Sequence, residues 1–412
     1  MLETWRWFGP TDVTTISDVM QTGARGIVSA LHHVSDGELW TPEEIARRQA
    51  EIAHTADGRE SGFKWEVVES LPVSEDIKLQ TGDWRRHLDN YRQSLANLAR
   101  AGIEVVCYNF MPVIDWTRTD LAWRLPHGGT CMRFDAVDFA AFDIHILQRR
   151  GAAADFPASV AAQAAERFAT MTEADRHRLV TSALAGLPGA ADSLSVAGVQ
   201  LYLDRYAGVG PDRLRRHLLD FLEAVVPTAA RLGLRLCCHP DDPPFPLMGL
   251  PRIMSTEQDY RSMLDHVPDM ANGITLCSGA LGARPDNDLP GIMRRLGHRV
   301  HFLHLRNVQR EGAELGCSFH ECEHLDGSVD MIDLVAAIAE EEARRRREGR
   351  RDCVIPMRPD HGQDILDDLG RDAQPGYPLI GRLKGLAELR GAMRAQERMI
   401  GQGMAPGASG RH

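Results

Sequence analysis

Short apolar runs alternate with longer amphipathic stretches along most of this chain. The runs at residues 26–30, 64–68, 104–109, 234–238, 273–276, 300–305 and 353–356 read as buried strands. Between them, residues 41–57, 83–101, 211–232, 259–267, 289–296 and 331–349 carry apolar side chains at helical spacing. Thr41-Pro42-Glu43-Glu44 is a strong helix start: an N-cap, a proline at the first position and acids in the first turn. Gly102 and Gly233 are matching helix stops. Strands that alternate with helices predict a parallel sheet. That many units favour a closed (β/α)8 TIM barrel, in one catalytic domain over residues 1–400.

One region breaks the alternation. Residues from about 134 to 190 are Ala-rich, with charges at helical spacing and no strand candidate, and predict a helical insertion. The eighth strand is not evident; residues 192–203 are ambiguous between strand and helix. The Trp-rich stretch 1–10 reads as structural, and residues 401–412, Gly-rich and aperiodic, as a disordered tail. Residues 340–351 are highly charged, with Glu followed by Arg, and read as a solvated helix face.

Composition narrows the function. The net charge of −11 works against phosphate backbones, so no nucleic-acid partner is expected. There is no apolar leader and no run long enough to span a membrane, so no membrane partner is expected. The eight cysteines have no framework spacing, which fits a reduced, cytoplasmic protein. A homo-oligomer, dimer or higher, is the expected assembly.

The candidate chemistry sits where strands end. His239 follows the run 234–238 and opens a proline-rich loop, stiff because each proline fixes a dihedral. Cys277 follows 273–276, His304 lies in 300–305, and Arg358, Asp360, His361 and Gly362 follow 353–356. Barrel active sites form at the strands' C-terminal ends, so His239, Cys277, His304 and Asp360 could converge on one metal. Two imidazoles, a thiolate and a carboxylate suit Mn²⁺, Fe²⁺, Co²⁺ or Zn²⁺ better than Mg²⁺ or Ca²⁺. Strand alternation puts His304 and Arg306 on the inward face and His301 on the other. A rival cluster, Cys317, His320, Cys322 and His324, matches no zinc spacing; supporting roles for His320, Glu321 and His324 are the better expectation.

Taken together, several blocks resemble the UxuA-type mannonate dehydratase family across nearly the whole chain. They are Trp5-Arg6-Trp7-Phe8-Gly9-Pro10, residues 26–34 and 37–40, residues 106–119, the proline loop after His239, Cys277, and His304-Leu305-Arg306-Asn307. The series continues with Phe319-His320-Glu321, His324-Leu325-Asp326-Gly327, Arg358-Pro359-Asp360-His361-Gly362 and Pro375-Gly376-Tyr377-Pro378. Small departures exist: Val34-Ser35-Asp36 stands where the family often has Ile-Pro. The resemblance implies a xylose-isomerase-like barrel with one divalent metal per subunit, Mn²⁺ or Fe²⁺. It carries over His239, Cys277, His304 and Asp360 as ligands, and His361 and Tyr377 as catalytic residues. The implied reaction is D-mannonate to 2-keto-3-deoxy-D-gluconate plus water, in hexuronate (glucuronate) catabolism.

That reaction removes a weakly acidic C2 proton and expels a poor leaving group from C3. It needs a metal to stabilise the enediolate, one base and one acid. His361 and Tyr377 are the expected pair, in either order. Arg306 and Arg358 are candidates to clamp the sugar-acid carboxylate, or else to brace a ligand carboxylate. Asn109, His33 and Asn307 are candidates for the sugar hydroxyls. A related isomerase or epimerase would be richer in carboxylates; a non-catalytic sensor would have lost one of these residues.

Overall fold

The N-terminal residues carry the missing strand. In the computed structural model, which describes residues 1–186 and 196–401, β1 is Leu2–Arg6. Its sequence Leu-Glu-Thr-Trp-Arg has no continuous apolar run, because its buried polar side chains are satisfied elsewhere. Glu3 accepts from Arg390, Thr4 donates to the Met357 carbonyl, and Arg6 pairs with Glu69. Residues 196–203, two-thirds of the ambiguous stretch, belong to the helix Val196–Arg205. The rest of that stretch lies outside the described residues, as do 187–190 of the expected insertion and 402–412 of the expected tail. Gly401 ends the last helix, Leu379–Gly401.

The other barrel strands are β2 (Gly26–Ser29), β3 (Trp65–Glu69), β4 (Val105–Tyr108), β7 (Arg235–Cys238), β8 (Asn272–Cys277), β9 (Val300–His304) and β12 (Pro356–Arg358). All neighbours pair in parallel and the order β1-β12-β9-β8-β7-β4-β3-β2 closes on itself. The last strand begins later than its apolar run suggests. Val354 is 42% exposed, and pairing starts where Leu2 donates to the Ile355 carbonyl.

Side chains alternate along each strand as a barrel requires. Val105 and Cys107 of β4 face inward and pack with Val28, Val67, Cys237 and Phe302. Val106 and Tyr108 face outward, into the larger core shared with the helices. The helix Pro42–Ala53 starts on Thr41, whose hydroxyl accepts from the Glu44 amide, and Pro211–Leu232 stops at Gly233 in the left-handed region. Among the described residues, no helix is long and apolar enough to cross a membrane.

Ahead of the expected insertion lies a hairpin, β5 (Asp120–Arg124) and β6 (Thr130–Phe134). This hairpin joins β10 (Val308–Arg310) and β11 (Phe319–Glu321) in a second sheet, ordered β10-β11-β6-β5. Helices Ala136–Ala141, Ala158–Thr170 and Glu173–Ala183 follow. The second sheet is laid over the barrel mouth and delivers Glu321 to it.

Candidate active site

Cross-strand register assembles the donors. His304 at the end of β9 sits opposite Cys277 on one side and Arg358 on the other. His239 follows β7 directly, and its backbone amide donates to the Tyr108 carbonyl at 2.9 Å. The ligand atoms of His239, Cys277 and His304 lie within 4.8 Å of one another. Asp360 closes the set: its Oδ2 is 3.6 Å from Cys277 Sγ and its Oδ1 3.9 Å from His304 Nδ1. Asp360 holds a left-handed backbone, φ 66°, a conformation that Asp tolerates better than most residues.

The surroundings fix which nitrogens are free. His239 Nδ1 lies 2.7 Å from the Pro240 carbonyl, so it carries the proton and Nε2 is bare. His304 Nε2 lies 3.2 Å from Glu69 Oε1, which leaves Nδ1 bare. The two bare nitrogens face each other at 3.1 Å. Two imidazole lone pairs at that distance repel unless a cation lies near both. The donor set therefore fits a divalent metal. Burial, with the other imidazole, lowers the His239 pKa to about 4, and burial with Arg358 lowers that of His304. Both rings are thus neutral and ready to ligate. Burial and the Asp360 carboxylate push the Cys277 thiol up, so thiolate formation there calls for a cation.

Asp360 is held ionised despite burial. Arg358, His361 and Arg306 outweigh desolvation and keep its carboxyl well below the usual range. Arg358 Nη1 is 2.5 Å from Oδ1 and Arg306 Nε 3.4 Å from Oδ2. Both arginines brace carboxylates more widely. Arg358 donates to Glu69 at 2.9 and 2.7 Å, and Arg306 donates to Asp242 at 2.8 Å and Glu321 at 3.1 Å. Gly279 is required here, since a Cβ on it would lie 1.9 Å from Arg306 Nε.

His361 lies beside this set. Its Nδ1 is 3.0 and 2.9 Å from the two oxygens of Glu321. Arg306 Nη1 also comes within 2.5 Å of Nδ1. The two carboxylate oxygens favour a proton on Nδ1, while Arg306 Nη1, which can only donate, is shared between that nitrogen and Glu321; with Nδ1–H on Glu321, Nε2 is the ring nitrogen off the carboxylate. Tyr377 packs edge-on against His361, with ring centres 4.9 Å apart, and against Phe8 at 4.8 Å. The guanidiniums of Arg382, Arg358 and Arg6 stand 5.3, 5.8 and 6.0 Å from its ring. Burial raises the Tyr377 pKa and these cations oppose the rise, so the residue is a neutral phenol near pH 7. Gly376, φ 80°, permits the contact: a Cβ there would lie 2.9 Å from the His361 ring.

Glu69, Asp242 and Arg118 are not among the expected site residues. Glu69 ends β3 and joins Arg6, His304 and Arg358. Asp242 and Glu321 are bridged by Arg118, which donates to the first at 2.8 and 3.0 Å and to the second at 3.0 Å. A carboxylate closing an apolar strand was the available signal for Glu69; nothing local marks Arg118.

The expected hydroxyl-binding residues separate. Asn109 lines a cavity of about 400 Å³ over the ends of β2, β3 and β4. His33 is exposed and pairs with Glu44, while its neighbour His32 lines that cavity. Asn307 is wholly buried and braces its own loop, donating to the His324 and Val329 carbonyls and accepting from the Val308 and Val329 amides. The rival cysteine–histidine cluster disperses. Cys317 and Cys322 donate to backbone carbonyls, His320 pairs with Glu311, and His324 Nε2 lies 2.7 Å from the Pro359 carbonyl, steadying the chain before Asp360.

Comparison with known proteins agrees along the whole chain. The family model described as D-mannonate dehydratase (UxuA) matches residues 1–402. Mannonate dehydratase 1 of Agrobacterium fabrum is 56% identical over 394 residues, 96% of each chain. Mannonate dehydratase of Rhizobium meliloti is 55% identical over 395 residues, 96% of this chain and 97% of that one. The crystal structure of mannonate dehydratase from Streptococcus suis serotype 2 matches with a TM-score of 0.74 at 29% identity, covering 100% of this chain and 97% of that chain.

Proposed function

The chain belongs to the D-mannonate dehydratase (UxuA) family, and from that premise we propose that it removes water from D-mannonate to give 2-keto-3-deoxy-D-gluconate, with His361 and Tyr377 moving the protons. As a mannonate dehydratase it is a carbon–oxygen hydro-lyase. Its place would be the breakdown of hexuronates in the cytoplasm.

His239 Nε2, Cys277 Sγ, His304 Nδ1 and an Asp360 oxygen would hold the metal, for which Mn²⁺ or Fe²⁺ is our choice. When bound, such an ion supplies Lewis-acid polarisation of the substrate carboxylate and its neighbouring hydroxyl. The charge balance supports an anionic substrate. Five buried guanidiniums (Arg6, Arg118, Arg306, Arg358, Arg382) stand against four buried carboxylates (Glu69, Asp242, Glu321, Asp360). A divalent ion with the Cys277 thiolate would add to that positive excess, which an anionic sugar acid offsets.

The single observation that carries the mechanism is the contrast between His361 and Tyr377. Glu321 holds the proton on His361 Nδ1, so Nε2 takes the C2 proton. Tyr377 is a neutral phenol among cations that stabilise its phenolate, so it gives a proton to the departing C3 hydroxyl. Loss of the C2 proton and of water leaves an enol, which becomes the 2-keto-3-deoxy acid by protonation at C3. Burial of both side chains keeps bulk water from competing. The test is to incubate metal-stripped protein with D-mannonate and Mn²⁺ or Fe²⁺ and assay keto acid. Keto acid that depends on added metal supports the reading; no product with either ion sinks it.

A further inference from the structure

The donor set, His361 and Tyr377 account for the first three carbons of a hexonate and leave the remainder of its chain without a seat. The cavity of about 400 Å³ over β2, β3 and β4 is within the usual range for a small ligand. Its lining includes none of the metal donors, nor His361 or Tyr377, and is connected to that site through intervening residues at four places. Ser70 lines it and follows Glu69, which contacts His304. His32 lines it, with Nε2 3.4 Å from Arg6, which pairs with Glu69. Asn109 lines it and follows Tyr108, whose carbonyl accepts the His239 amide. Asp115 lines it and precedes Trp116, which bridges to Asp242.

The polar lining suits hydroxyl groups. Lys78 is 6% exposed and spends two of its three N–H bonds, on Glu75 at 2.7 Å and on the Met111 carbonyl at 2.7 Å. Burial works against its charge, but Glu75 and Asp115 raise its pKa and keep it a cation. Asn109 donates one N–H to Asp115 at 2.8 Å, so its carbonyl, its second N–H and the other Asp115 oxygen stay unspent among the described residues. The lining thus holds both donors and acceptors, with Trp40 and Val113 among its apolar residues. A polyol, which both donates and accepts at each carbon and exposes C–H faces between, matches that mixture.

We propose that this cavity is the subsite for the C4–C6 polyol tail of the sugar acid, and that Lys78, Asn109 and Asp115 set the preference for a six-carbon chain. The proposal rests on the dehydratase reading above. Its test compares D-mannonate with D-lyxonate, the five-carbon acid that keeps the configuration at C2, C3 and C4 and lacks C6, using metal-loaded protein. For Lys78→Met and Asn109→Ala we expect KM for D-mannonate to rise about tenfold or more, the usual cost of an unpaired buried polar group. kcat should stay within about threefold, bound metal should not change, and the preference for D-mannonate over D-lyxonate should shrink. Asn109→Ala, which gives up one side-chain bond, decides the matter if Lys78→Met fails to fold. An unchanged KM and preference in the folded variant overturns the subsite alone. Wild type that makes no keto acid from D-mannonate overturns the dehydratase reading and the subsite with it.

Discussion

Glu321 faces His361 with both carboxylate oxygens, 3.0 and 2.9 Å from Nδ1, although Glu321 ends β11 of the second sheet and His361 lies in the loop after β12 of the barrel. The arrangement orients the ring, with Nδ1 on the carboxylate and Nε2 off it. His361→Gln should lower kcat by about 10² to 10⁴, the usual worth of a positioned general base. Metal content, read by elemental analysis, should match wild type. Glu321→Gln should cost less, since the amide can still contact the ring but cannot stabilise its cation. Unchanged kcat in His361→Gln would remove it from the mechanism.

Tyr377→Phe deletes one hydroxyl that makes no hydrogen bond to any described residue. Stability should therefore stay close to wild type while kcat falls about 10² or more. A variant that loses stability instead of turnover would make Tyr377 a packing residue.

Metal removal gives a thermodynamic signature. The facing nitrogens of His239 and His304 are better tolerated with a cation present, so a chelator should lower the melting temperature as well as abolish turnover. Restored Mn²⁺ at about a hundred times its Kd should return about 2.7 kcal/mol. Melting that ignores both chelator and metal would argue against a resident ion at this site.

Much of this was legible in the sequence because it is local. Cys277 and His304 end apolar runs, and the run itself sets their direction. Helix bounds at Pro211–Leu232 and Leu289–Leu296 followed from caps and periodicity. What stayed hidden was built from distant pairings. β1 looks polar because Glu3 and Arg6 find partners 387 and 63 residues away. The hairpin Asp120–Arg124 and Thr130–Phe134 becomes a sheet only when β11 joins it. Arg118 is one charged residue among many until Asp242 and Glu321 are folded around it.

Asp364 predicts a pH effect on stability outside the metal site. Burial, opposed by the Thr130 hydroxyl at 3.0 Å, raises its carboxyl to about 6. The unfolded value is about 3.9, so between the two the folded protein holds the extra proton. Its cost to stability is absent below about pH 4 and grows as pH rises to about 6. Asp364→Asn keeps an oxygen for Thr130 and removes that charge. Partial exposure reduces the effect, so a gain of about 1–2 kcal/mol at pH 7.5 is expected, shrinking as pH falls towards 4. Urea titrations at several pH values measure it; a gain independent of pH would refute the assignment.

Arg118 ties the second sheet to the barrel. It is fully buried, forks across Asp242, reaches Glu321 and lies 5.0 Å from the centre of the Phe319 ring. Arg118→Met keeps much of the volume but leaves Asp242 and Glu321 to share Arg306. Breaking a buried ion pair from one side costs about 3–5 kcal/mol, because the abandoned charges stay desolvated. Arg118→Lys restores charge without the fork and should recover only part of that. Since Glu321 orients His361, kcat should fall along with stability while the metal is retained, its ligands being untouched. Urea unfolding and steady-state kinetics on the same preparations separate these effects. A loss under about 1 kcal/mol in Arg118→Met would mean that the second sheet stays docked without this bridge.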